Sequence, residues 1–98
     1  LMHKAAVVRN EIAPLLDQLI YQLGAEGRAT PRAHFNRIRK LLYRADTTQD
    51  LASPLINLCS SVVLGFRLSA DSTALLERLM NKSQHLMAEL DGSHITHH

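Results

Sequence analysis

The sequence has no tryptophan, one cysteine and only four aromatic side chains, Tyr21, Phe35, Tyr43 and Phe66. A core with so few rings must be aliphatic. The lone Cys59 has no partner for an internal disulfide, and small secreted domains usually carry several cysteines, so a reducing, cytoplasmic setting is expected. The first eight residues lack the apolar stretch of a secretory signal. The longest run without charge, Leu51 to Phe66, is 16 residues and includes Pro54, Asn57 and three serines. A membrane-spanning helix needs about 20 predominantly apolar residues, so no span is expected.

Alternation of the strand type is missing, which excludes folds built on a sheet. No glycine-rich phosphate loop can then follow a strand, and no serine-nucleophile signature is present. No HExxH motif or Cys/His cluster appears. The paired ExxH of di-iron bundles is absent too, because the residues three beyond Glu11, Glu77 and Glu89 are Pro14, Met80 and Gly92. The acids are scattered without the pairing that acid–base work requires. Cys59 lies in the apolar run LINLCSSVV, the setting of a space-filling thiol and not of a nucleophile. His34 and His85 read as marginal or surface histidines. The expectation is a non-catalytic protein with no cofactor and no metal site.

What is present is helical periodicity over a single domain, residues 1–91. Hydrophobic residues make up 46% and charged residues 20%, a globular balance that argues against disorder. Four helices are predicted, at about 3–23, 31–45, 48–66 and 70–90. In the first, Val8, Ile12, Leu15, Leu16, Leu19, Ile20 and Leu23 recur at three- and four-residue steps. Pro14 should kink it or mark its true start, and Gly24 should end it. GAEGRAT then reads as a seven-residue linker. Thr30-Pro31 should open the second helix as cap and first residue. The third should start either at the Thr47–Asp50 capping box or at Ser53-Pro54. Ser69 or Ser72 should open the fourth, where Leu76, Leu79, Ser83, Leu86 and Leu90 form a heptad-like seam ending at Asp91-Gly92. The polar, histidine-rich residues 92–98 read as a tag or disordered tail, and Leu1 ahead of Met2 is an unusual start.

These features predict an all-α, four-helix up-down bundle. The third helix is apolar nearly all round, and a helix of that kind needs cover on every side. A second copy of the chain is the expected cover, giving a homodimer with Leu55, Leu58, Ser61, Val62, Gly65 and Phe66 at its interface. The plainer reading gives Asn57, Ser60, Ser61 and Gly65 to solvent.

Charge supplies the functional signal. Arg28 to Arg44 contains six of the eleven Lys and Arg residues and no acid, so this segment carries +6 while the rest carries five bases against nine acids, or −4. Projected at 100° per residue, Arg32, Asn36, Arg39 and Tyr43 form one outer stripe of the second helix, and Arg37, Lys40 and Arg44 another. Arginine forks suit phosphates and carboxylates, and Tyr43 could stack on a base. The expected binding residues are therefore Arg32, Arg37, Arg39, Lys40, Tyr43 and Arg44, facing an acidic protein partner. One alternative is accessory nucleic-acid binding through phosphates on the same face. Another is a small-molecule pocket lined by Leu, Met80, Met87 and Phe66. The blandest is a solvated face whose cations pair with the chain's own acids. A groove-reading helix-turn-helix is discounted because GAEGRAT is too long for its tight turn.

Overall fold

The computed structural model describes residues 4–95, and within them the side chains of all but residues 4, 62, 63 and 90–95. The chain forms four α-helices, α1 (Lys4–Ala25), α2 (Ala29–Arg44), α3 (Ala52–Ser60) and α4 (Ala70–Ile95), with no strand among the described residues. Short 3-10 turns at Gln49–Leu51 and Ser61–Leu64 flank α3. No described helix is long and apolar enough to cross a membrane.

Helix α1 continues past Gly24. The stop is Gly27, at φ +69°, where Arg28 N–H bonds Leu23 C=O at 2.9 Å and Gly27 N–H bonds Gly24 C=O at 3.1 Å. This is a Schellman closure, which needs a left-handed residue just beyond the helix. Pro14 neither breaks nor starts α1. It leaves the Asn10 carbonyl without its helical donor, and both Pro14 and Asn10 are exposed. The expected seven-residue linker shrinks to Glu26, Gly27 and Arg28. Its length therefore no longer argues against a helix-turn-helix; the packing does so instead. Arg9 Nη2 bonds Ala45 C=O at 2.8 Å, Asp17 meets Arg39 at 2.6 Å, and the Arg32 side chain lies over Gly24. Contacts that climb one helix while descending the other define an antiparallel hairpin along its whole length, whereas a helix-turn-helix crosses steeply.

Helix α2 starts at Ala29, with Arg28 at the cap position and no side-chain cap bond. Thr30 is thus inside the first turn, where Pro31 is tolerated because its missing N–H would have had no partner. The start before α3 is the Thr47–Asp50 box. Asp50 Oδ2 accepts from the Asp46 and Thr47 amides at 3.1 and 3.2 Å, and Thr47 Oγ1 accepts from the Asp50 amide at 3.2 Å. Those bonds hold the Asp50 carboxyl below its ordinary range. The single long third helix expected over 48–66 is instead a nine-residue α-helix between two tighter turns, closed by Gly65 at φ +70°. Ser69 caps α4, its Oγ accepting from the Ser72 amide at 3.1 Å. Helix α4 runs to Ile95, beyond the stop expected at Asp91-Gly92.

Helix α1 packs against α2 and α4, and α3 packs against the same two, closing a four-helix ring. Ile12, Leu16, Leu19 and Leu23 of α1, Phe35, Ile38 and Leu42 of α2, Leu55 and Leu58 of α3 and Leu79 of α4 fill its centre. The predicted seam of α4 faces this core through Leu76, Leu79, Ser83 and Leu86, while the Leu90 side chain lies outside the described residues. Ser83 is buried without penalty because its hydroxyl donates to Leu79 C=O at 2.8 Å. The ring is elongated, 47 × 23 × 17 Å, because α1 and α4, of 22 and 26 residues, run along its length.

Much of the cover that α3 needs comes from α2 and α4 of its own chain. Leu55, Leu58 and Ser61 are buried within the single chain. They cannot meet another molecule without unfolding this one. Of the other expected interface residues, Gly65 is exposed, Phe66 is half-buried, and the Val62 side chain lies outside the described residues. The exposed line of α3 and its following turn is Ser53, Ile56, Ser60 and Leu64, with Ile56 49% and Leu64 51% exposed. The solvent face expected from Asn57, Ser60, Ser61 and Gly65 is thus shifted, since Ser61 turns inward and Ile56 outward.

Candidate functional site

Helix α2 presents its basic residues outward because Phe35, Ile38 and Leu42 on the opposite side enter the core. Arg32, Arg37, Arg39, Lys40, Tyr43 and Arg44 are all exposed, but the six divide into two environments. Along the edge next to α1, Arg39 Nε donates to Asp17 Oδ1 at 2.6 Å, and its guanidinium lies 4.9 Å from the centre of the Tyr43 ring. The hydrogen bond and the charge of Asp17 raise the Arg39 pKa above its ordinary value. An exposed pair of this kind contributes at most about 1 kcal/mol. Arg32, on the same edge, lays its stem across Gly24, where a Cβ would come within 3.2 Å of its Nε.

Arg37, Lys40 and Arg44 form the outermost ridge. Among the described residues none of them makes an ion pair. Seven residues of helix separate the first from the last, so the ridge is about 10 Å long. Three aligned cations without an ion-pair partner among the described residues make this ridge a positively charged strip. The two stripes drawn from the sequence are therefore chemically distinct: one is partly neutralised by Asp17, the other is open.

His34, Cys59 and His85 lie in three different environments. His34 lies on the inner margin of α2, with Nε2 3.0 Å from Ser61 Oγ. Ser61 donates its own proton to Asn57 C=O at 2.7 Å, so the histidine is the donor and its Nε2 carries the hydrogen. Burial and then the Arg37 charge lower its pKa. Cys59 is half-buried with its thiol 3.8 Å from Met87 Sδ, and burial pushes its pKa up, opposite to what a nucleophile needs. His85 is exposed and 3.9 Å from Glu89. Among the described residues no three His, Cys, Asp or Glu side chains converge as metal ligands do.

Three surface depressions lined by described residues are open to solvent. Two adjoin at one end of the bundle, where Gly27, Arg28 and Pro31 face Gly65, Phe66 and Arg67. A third lies between Leu15 and the α4 residues Arg78, Asn81, Lys82 and His85. Met80 and Met87, expected to line a ligand pocket, line none of these.

Two features escaped the sequence reading. Glu26 accepts from Gln22 Nε2 at 2.6 Å, Ser69 Oγ at 2.6 Å and Ser72 Oγ at 3.0 Å. It thereby fastens the α1–α2 turn to the start of α4. The hydrogen bond from Ser69 is the main reason its carboxyl stays below the usual range, with Gln22, Ser72 and the Arg28 charge adding to it. On the same connection Arg28 donates through Nη2 to Arg67 C=O. The sequence signal was the pair of serines at the start of α4, but nothing local named their partner. The second feature is Tyr21, 78% exposed on α1. Its place off the apolar stripe was visible, but its position one turn beyond the Asp17–Arg39 contact was not.

No protein-family profile, curated protein or solved structure matches the chain at a significant level.

Proposed function

We propose that this protein is a non-catalytic binding module that docks an acidic partner on the outer ridge of α2. The observation that carries the reading is the contrast within that helix: Arg39 has found Asp17, while Arg37, Lys40 and Arg44 stand in line without an acid. Self-repulsion along such a ridge is a cost to the fold, and a bound polyanion relieves it. A homodimer belongs to the same proposal, with Ile56, Leu64, Gly65 and Phe66 as contacts in place of the buried leucines.

Heparin retention tests the ridge. Arg37→Glu/Arg44→Glu should elute at much lower salt than the wild type. Arg78→Glu/Lys82→Glu changes net charge by the same amount on α4 and should elute close to the wild type once that common change is allowed for. Equal losses in the two double variants would mean that net charge, and not the ridge, governs binding.

A further inference from the structure

The α2 ridge adjoins a second feature that bare anion binding leaves unexplained. Tyr21 and Tyr43 are 78% and 47% exposed, and both lie on the outer face of the α1–α2 hairpin. The Asp17–Arg39 contact fixes the register of that face. Tyr21 is one turn beyond Asp17, Tyr43 one turn beyond Arg39, and the helices run in opposite directions. Their backbone positions therefore lie on either side of the ion pair, about 12 Å apart along the bundle axis. Arg32, which crosses α1 at Gly24, continues the line beyond Tyr21. Along the hairpin the order is Arg32, Tyr21, Arg39, Tyr43, with Lys40 and the open ridge alongside.

Exposed rings interleaved with arginines form a surface that both stacks on flat groups and neutralises phosphates. Arg39 already covers one face of Tyr43, a pairing that an incoming base can extend. An acidic peptide would use the cations but leave both rings in water. A duplex would present phosphates while keeping its base faces inside the stack. A single strand offers phosphates and base faces together. We infer that the acidic partner is a single-stranded nucleic acid, bound with little sequence preference through stacking on Tyr21 and Tyr43 and phosphate contacts to Arg32, Arg37, Lys40 and Arg44. This inference rests on the proposed role of the α2 ridge and adds α1 to the site.

The test uses fluorescence anisotropy at low salt with three probes: an unstructured strand of about 20 nucleotides, the same strand in duplex, and poly-glutamate. The single strand should bind most tightly. Tyr21→Ala/Tyr43→Ala should weaken it by at least about tenfold without changing the salt slope. Tyr21→Phe/Tyr43→Phe should restore it, since stacking needs the ring and not the hydroxyl. Arg37→Glu/Arg44→Glu should flatten the salt slope. Both tyrosines are exposed, so far-ultraviolet circular dichroism should show the fold unchanged. If the alanine variant binds the strand as the wild type does, the inference is overturned while the ridge reading stands. If none of the three probes binds, both fall.

Discussion

His34 illustrates how one side chain couples charge to packing. It sits where α2 meets α3, beside Phe35 and Phe66 at ring distances of 4.8 and 5.5 Å, and gives its Nε2 proton to Ser61. Arg37 is the charged group that bears on it, and both burial and that charge oppose a second proton. The unfolded imidazole protonates near pH 6.5, the folded one only at lower pH. The unfolded state therefore binds more protons in that window, and stability is fullest above about pH 6.5 and declines as pH falls through the folded value. The urea midpoint should be lower at pH 5.5 than at pH 7.5, and His34→Gln should narrow the difference; an unchanged difference would assign the effect to other groups. At this scale the sequence was legible where a residue's fate depends on its own helix. The outward aim of Arg37, Lys40 and Arg44 follows from a 100° step. The pairing of Arg39 with Asp17, 22 positions away, depends on a tertiary register that no local pattern encodes.

Among the elements, α3 departs most from expectation. Its composition reads as buried all round, but only Pro54, Leu55 and Leu58 are buried, and α2 and α4 supply their cover. Two large apolar groups, Ile56 and Leu64, remain half-exposed on one line. A stable interface usually buries about 800 Å² per partner, more than two such side chains supply. The dimer proposed above should therefore be weak. Sedimentation should show the 11.0 kDa monomer at low concentration and a rising dimer fraction as concentration increases. Ile56→Glu/Leu64→Glu should remove that rise. A monomer across the whole series would dispose of the dimer without touching the α2 ridge. The existence of all four helices was legible because apolar periodicity is a repeated signal. Their ends were not, because each rests on one or two bonds. Gly24 and Gly27 both look like a stop, and only the Schellman bonds to Leu23 and Gly24 show that the second takes the left-handed turn.

For the molecule as a whole, a bundle of four helices without strands was legible from the apolar periodicity, and the described residues form one. The charge asymmetry was legible as well, since it needs only counting. What could not be read was how the ring is fastened. The α1–α2 contacts form between neighbours in the chain, whereas α1 and α4 must find each other across long separations: Glu26 reaches Ser69 and Ser72, 43 and 46 residues on, and Glu11 reaches Lys82, 71 residues on. Closing so long a loop costs chain entropy before any contact repays it. The local hairpin can thus form early and the closure late. The Glu26 fastening then acts as a latch on unfolding rather than a guide to folding. In stopped-flow chevrons, Glu26→Gln should leave the folding arm in place and raise the unfolding rate several-fold; a slowed folding arm would put the latch in the nucleus. The carboxylate that holds the two connections together would then set how long the native bundle lasts, and have little say in how quickly it forms.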